Sequence, residues 1–117
     1  TIHEKNNLAN IKFQSYEIKK INLDSYSFDH KIGFIKIDVE GHELDIIYGA
    51  KNLILKDKPN LMIEIEEKHT GVPNIEIINQ IKEFGYECFS LDNNLELMVV
   101  NQQNIKNISN NNFIFKK

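Results

Sequence analysis

The stretch from Ile32 to Ala50, IGFIKIDVEGHELDIIYGA, constrains the fold more than any other part of the chain. An apolar run of strand length ends in acidic residues, meets a glycine, and passes directly into a pattern of helical spacing. Open α/β sheets commonly present a ligand site at such a strand exit. Period two places Ile35, Ile37 and Val39 on one face and Phe34, Lys36 and Asp38 on the other. A strand of this kind, Gly33 to Val39, is expected to be covered on both faces, as in a parallel sheet.

The flanking sequence supplies the rest of an α/β domain. From about Glu43 one helix is predicted, with Leu44, Ile47, Tyr48, Ile54 and Leu55 able to share a face and Gly49-Ala50 as a weak or closely packed point. Pro59 closes it. Leu61 to Glu66 reads as a second strand, and the strand–helix–strand order predicts right-handed crossover and parallel pairing with the first. Asp38 and Glu66 then share one edge of the sheet. Pro73-Asn74 opens a further helix carrying Ile77, Ile78, Ile81 and Phe84, with Gly85 as its C-terminal cap. Tyr86 to Leu91 is a third strand, Asp92-Asn93-Asn94 a turn, Leu95 to Val100 extended, and Asn112 to Phe115 a closing strand. Upstream, Ile11 to Ile21 alternates as a half-exposed strand or hairpin does. Leu23-Asp24-Ser25 reads as a helical turn in which Asp24 accepts backbone N–H groups.

With 117 residues there is room for one domain, residues 1–117, and no repeat or linker divides it. Fourteen basic side chains against seventeen acidic ones leave a net charge of −3, so a broad phosphate-neutralising surface and nucleic-acid binding are disfavoured. The single cysteine, Cys88, excludes an internal disulfide and reads as a small buried apolar residue. No apolar run is long enough to span a membrane and no secretory segment is present, which makes the cytoplasm the expected location. The opening polar run from Thr1 to Asn10 suggests the downstream part of a longer protein.

Four carboxylates, Asp38, Glu40, Glu64 and Glu66, are expected near the carboxyl ends of two neighbouring strands, with His42 and His69 in the loops beyond. Crowded, partly desolvated carboxylates can hold a proton near neutral pH and act as bases. Glu40 and Glu43 can equally serve the positive end of the following helix. Gly41 admits two readings that can hold together: it supplies the turn conformation, or it lets a ligand reach exposed N–H groups. His42 is a proton acceptor or a surface residue, and His69 reads as loop. No HExxH or EF-hand pattern occurs, so no metal is expected.

The run IKIDVEGHELDIIYGA, preceded by Ile21-Asn22-Leu23-Asp24 and followed by Lys58-Pro59-Asn60-Leu61-Met62-Ile63-Glu64-Ile65, resembles the C-terminal half of FkbM-type methyltransferases. Gly85-Tyr86 and Asn111 to Phe115 extend the resemblance, which covers about residues 21–115. It implies a Rossmann-like class I methyltransferase sheet, here partial, with C-terminal strands and helices only. It also implies S-adenosyl-L-methionine as cofactor and O-methylation of a small-molecule or glycan acceptor. In that frame Gly33 to Val39 is the fourth strand and Leu61 to Glu66 the fifth. Asp38, Glu40 and His42 become the catalytic candidates, Glu64 and Glu66 bind the acceptor, and Asp38 and Gly41 touch the cofactor. The chain contains no GxG, the family's cofactor loop, so the fourth strand is expected to expose an unpaired edge. A non-catalytic α/β remnant is the alternative that this absence favours. A glycoside hydrolase is a third, since two carboxylates about 5 to 9.5 Å apart are what that reaction needs.

Overall fold

The computed structural model describes residues 12–117. Five strands form one sheet: β1 (Phe34–Ile37), β2 (Asn60–Glu64), β3 (Glu87–Leu91), β4 (Leu97–Val99) and β5 (Asn112–Lys116), in the spatial order β1-β2-β5-β3-β4. β1 and β2 are parallel, Ile35 facing Leu61 and Ile37 facing Ile63, as the intervening helical connection requires. The closing strand β5 inserts antiparallel between β2 and β3, with Phe113 opposite Ile63 and Phe115 opposite Leu61 and Cys88.

These registers put Ile37, Leu61, Ile63, Cys88, Phe113 and Phe115 on one face of the sheet. There they pack with Ile47 of α1 (Glu43–Gly49), Ile54 of α2 (Lys51–Asp57) and Ile77, Ile78 and Ile81 of α4 (Asn74–Lys82). A shorter helix, α3 (Glu67–Thr70), follows β2 directly. Cys88 is buried as expected, and burial pushes its thiol up to about 12. Tyr86 ties this layer together by donating its hydroxyl to the Pro59 carbonyl at 2.6 Å.

Several expectations are corrected. β1 is covered on one face only: Phe34 is 57% exposed and Lys36 is exposed, and the row Lys36, Met62, Ile114, Phe89, Val99 forms the barer side of the sheet. β1 is also an edge strand among the described residues, in line with the unpaired edge foreseen for it.

The helix predicted from Glu43 is two helices, because Ala50 leaves helical geometry at φ −115° and ψ 16°. Tyr48 and Leu55 consequently lie exposed while Ile47 and Ile54 remain in the core. Gly49 is the close contact foreseen: a Cβ there would sit 3.1 Å from Oδ1 of Asn22.

Lys12 to Ile21 forms no strand, and Phe13, Tyr16, Ile18 and Ile21 are exposed. Alternation alone stabilises nothing without a paired neighbour, and the segment pairs with neither edge strand, β1 or β4. Ile11 and the polar run from Thr1 to Asn10 lie outside the described residues.

Asp24 does cap a helix, but not its own short 3-10 turn at Leu23–Ser25. Its carboxylate accepts the N–H of Asn52 at 2.8 Å and of Leu53 at 2.9 Å, the free donors at the start of α2.

Candidate active site

Local backbone geometry decides where each acidic side chain points. Asp38 emerges one residue beyond the ladder of β1 and is exposed. Glu64 is the last residue of β2, and Glu66, two residues on, precedes α3; both are half-buried. Because the two strands run parallel with Ile37 opposite Ile63, Asp38 and Glu64 leave the sheet side by side. The Glu64 carboxyl lies within hydrogen-bonding reach of both Glu66 and Asp38.

Three carboxyls at this spacing resist ionising together. The hydrogen bond with Glu66, then that with Asp38, then burial hold the Glu64 proton up to about 7. Glu66 moves in the opposite direction. The same hydrogen bond with Glu64, and next Lys68, keep it below the ordinary carboxylate range. Lys68 Nζ stands 3.0 Å from Glu66 Oε2 and is itself held protonated by that contact. Glu64 and Glu66 therefore behave as one unit with a shared proton, Lys68 biasing the charge toward Glu66. Lys68 was absent from the sequence reading; a cation two residues past Glu66 was the signal available.

The turn after β1 serves a different purpose. Glu40 and Gly41 both have positive φ, 51° and 107°, so the chain reverses over two left-handed residues. A Cβ at Gly41 would lie 2.8 Å from the His69 carbonyl oxygen, and the Gly41 N–H donates to Glu43 Oε1 at 3.1 Å. Glu43 is only 2% exposed and plugs the turn from beneath. Of the two uses foreseen for Gly41, this geometry supplies the tight turn, and the space beside its Cα is filled by the chain itself.

Not every candidate joins the cluster. His42 is largely exposed, and its Nδ1 lies 3.3 Å from Asp45 Oδ2 on the first turn of α1. Glu40 is exposed and within electrostatic reach of Lys68. His69 ends up in α3, where its charge bears on Glu66. At the same edge the Asn74 Nδ2 donates to the Ile65 carbonyl at 3.1 Å.

Among the described residues no group of His, Cys, Asp and Glu is arranged to hold a metal ion, and no helix is long and apolar enough to cross a membrane.

Comparison with known proteins adds one finding. Residues 2–88 match the family described as the Methyltransferase FkbM domain, while no curated protein and no solved structure matches the chain. The matched span begins upstream of the resemblance noted at about residue 21 and stops before Asn111 to Phe115. It contains β1, the Asp38 to Gly41 turn, Glu64, Glu66 and Lys68. With most of its length inside that span, the chain belongs to the FkbM methyltransferase family.

Proposed function

We propose that this chain carries the acceptor side of an S-adenosylmethionine-dependent O-methyltransferase, with a hydroxyl of a sugar, glycolipid or related metabolite as acceptor. The reading rests on the paired carboxyls of Asp38 and Glu64 at the exits of two parallel strands, in a chain of a methyltransferase family. A residue able to lose its proton near pH 7 is suited to take one from a hydroxyl as that oxygen is alkylated. Asp38, the more exposed, meets the acceptor hydroxyl, and the proton is shared with Glu64. Glu66, neutralised by Lys68, hydrogen-bonds a neighbouring acceptor hydroxyl. Glu40 and His42 border the approach. Alignment of the acceptor in such a site can account for about 7 to 11 kcal/mol of the barrier in favourable cases.

The residues present fit the cofactor in part. When bound, S-adenosylmethionine supplies an electrophilic methyl group on a cationic sulfonium. A carboxyl-rich strand edge matches that charge, so Asp38 would lie on its sulfonium side. Gly41 fits less well, because its N–H is engaged by Glu43 and a Cβ-sized space beside it is already filled by His69.

Transfer of labelled methyl from S-adenosylmethionine to a panel of hydroxylated acceptors tests the reading, with calorimetry of S-adenosylhomocysteine binding beside it. Binding together with hydroxyl-dependent transfer is expected. An intact protein that does neither is a non-catalytic α/β module, the second reading, which the filled turn at Gly41 favours.

A further inference from the structure

A concavity lies on the same edge of the sheet as Glu64, two strands away from it. It measures about 470 Å³ and opens between the exit of β3, at Ser90 to Asn93, and the segment Asn107 to Asn110 that leads into β5. β5 separates it from β2, Asn112 facing Glu64 across the ladder. Strand spacing therefore puts its near wall about 10 Å from Glu64.

Ser90 forms part of the wall. It is wholly buried, and its hydroxyl has no hydrogen-bond partner among the described residues. Its oxygen lies beneath the cavity surface, so the polar groups that a ligand can reach are those around it. Around it the polar groups are amides, a hydroxyl and one carboxylate. Asn110 Oδ1 accepts the Asn112 N–H at 3.0 Å, which leaves its NH2 to donate. Asp92 is held rigid by accepting the N–H groups of Asn94 at 2.8 Å and Glu96 at 3.0 Å.

Leu91, Leu95, Met98 and Ile108 supply apolar wall between these groups. The lining contains no Lys, Arg or His and no aromatic ring. An anionic ligand would face Asp92 with nothing to neutralise it, and a nucleobase would find no stacking platform. Amides and hydroxyls both donate and accept, and so do the hydroxyls of a neutral sugar ring, whose C–H face suits Leu and Met.

We propose that this cavity is a subsite for a neutral, hydroxyl-rich ring, a pyranoside unit of the acceptor distal to the one at Asp38 and Glu64. The assignment rests on the acceptor reading above, and it places remote binding energy two strands away from the reacting hydroxyl.

The test is an amide NMR titration of the full chain with methyl glucoside, with glucose 6-phosphate as the charged counter-probe. Saturable shifts confined to Ser90–Leu95 and Asn107–Asn110 are expected, with the phosphate binding about tenfold more weakly or worse. Ser109→Trp, at an exposed position, should fill the cavity and weaken glucoside binding about tenfold; Asn107→Ala, also exposed, should weaken it less. The proposal is overturned by an absence of saturable shifts, by shifts that map elsewhere, by equal binding of the phosphate, or by glucoside affinity unchanged in both variants. S-adenosylhomocysteine titrated separately keeps the two readings apart. Its failure to bind counts against methyl transfer, while glucoside shifts at Ser90 to Leu95 would still stand.

Discussion

The exits of β1 and β2 lie side by side and are built for different tasks. The β1 exit carries the denser motif, with Asp38, Glu40, Gly41, His42 and Glu43 almost consecutive, yet most of it is architecture. Gly41 turns the chain, Glu43 receives its N–H, and His42 looks toward Asp45. The β2 exit is plainer in sequence, two glutamates and a lysine, and it concentrates the electrostatics. Glu64 is pushed up to about 7 and Glu66 down, with Lys68 beside them. Motif density therefore marks where the backbone is difficult to build, and shifted proton affinities appear where carboxyls from separate strands converge.

The strongest way to break this contrast is through activity. Glu64→Gln and Asp38→Asn should each lower methyl transfer by about a hundred- to ten-thousandfold, which is roughly 3 to 5 kcal/mol on the barrier. Labelled-methyl assays would report it, and near-normal turnover in both variants would remove the carboxyl pair from the mechanism. The wild-type pH–rate profile should rise with an apparent pKa of about 7 as the shared proton leaves.

Next in size is the turn. Gly41→Ala meets both a positive φ and the His69 carbonyl, and should destabilise the fold by about 1 to 3 kcal/mol in thermal unfolding. Gly33→Ala is the matched control, since a Cβ there meets nothing within 4 Å. Equal losses at both positions would contradict the role given to Gly41. Asp24→Ala, which strips two N–H partners from the start of α2, should cost about 0.5 to 2 kcal/mol by denaturant titration.

The pH dependence of stability sharpens the same contrast. Glu64 binds its proton more tightly folded than unfolded, so its contribution is fully present below 4.5 and is lost as pH rises through about 7. Glu66, lowered in the fold, contributes in the opposite sense and loses its share as pH falls below its ordinary range. Melting temperature should accordingly drop between pH 5 and pH 8 in the wild type by more than in Glu64→Gln, and parallel curves would argue against the shared proton. The smallest effect belongs to His42→Ala. An exposed side chain paired only with Asp45 should change stability by no more than about 0.5 kcal/mol. A large loss of turnover in that variant would move the chemistry back to the β1 exit.

From sequence, periodicity places Ile37, Ile47, Ile54, Ile77, Ile78 and Ile81 on packed faces, and all of them are buried. Proline and glycine mark the breaks, and the Ile32 to Ala50 stretch points to the family to which the chain belongs. These are local properties: the spacing of apolar side chains selects a helix or a strand and the face that it buries.

What only the tertiary structure decided is nonlocal. β5 lies between β2 and β3, Asp24 caps a helix some 28 residues away, Lys68 draws the proton from Glu66 toward Glu64, and Lys12 to Ile21 stays unpaired among the described residues. Backbone hydrogen-bonding groups are the same in every strand, so a sequence pattern fixes which face is buried without naming the neighbour. Carboxyl chemistry depends on separations of a few ångströms between side chains from different strands, and those separations exist only once the chain has folded.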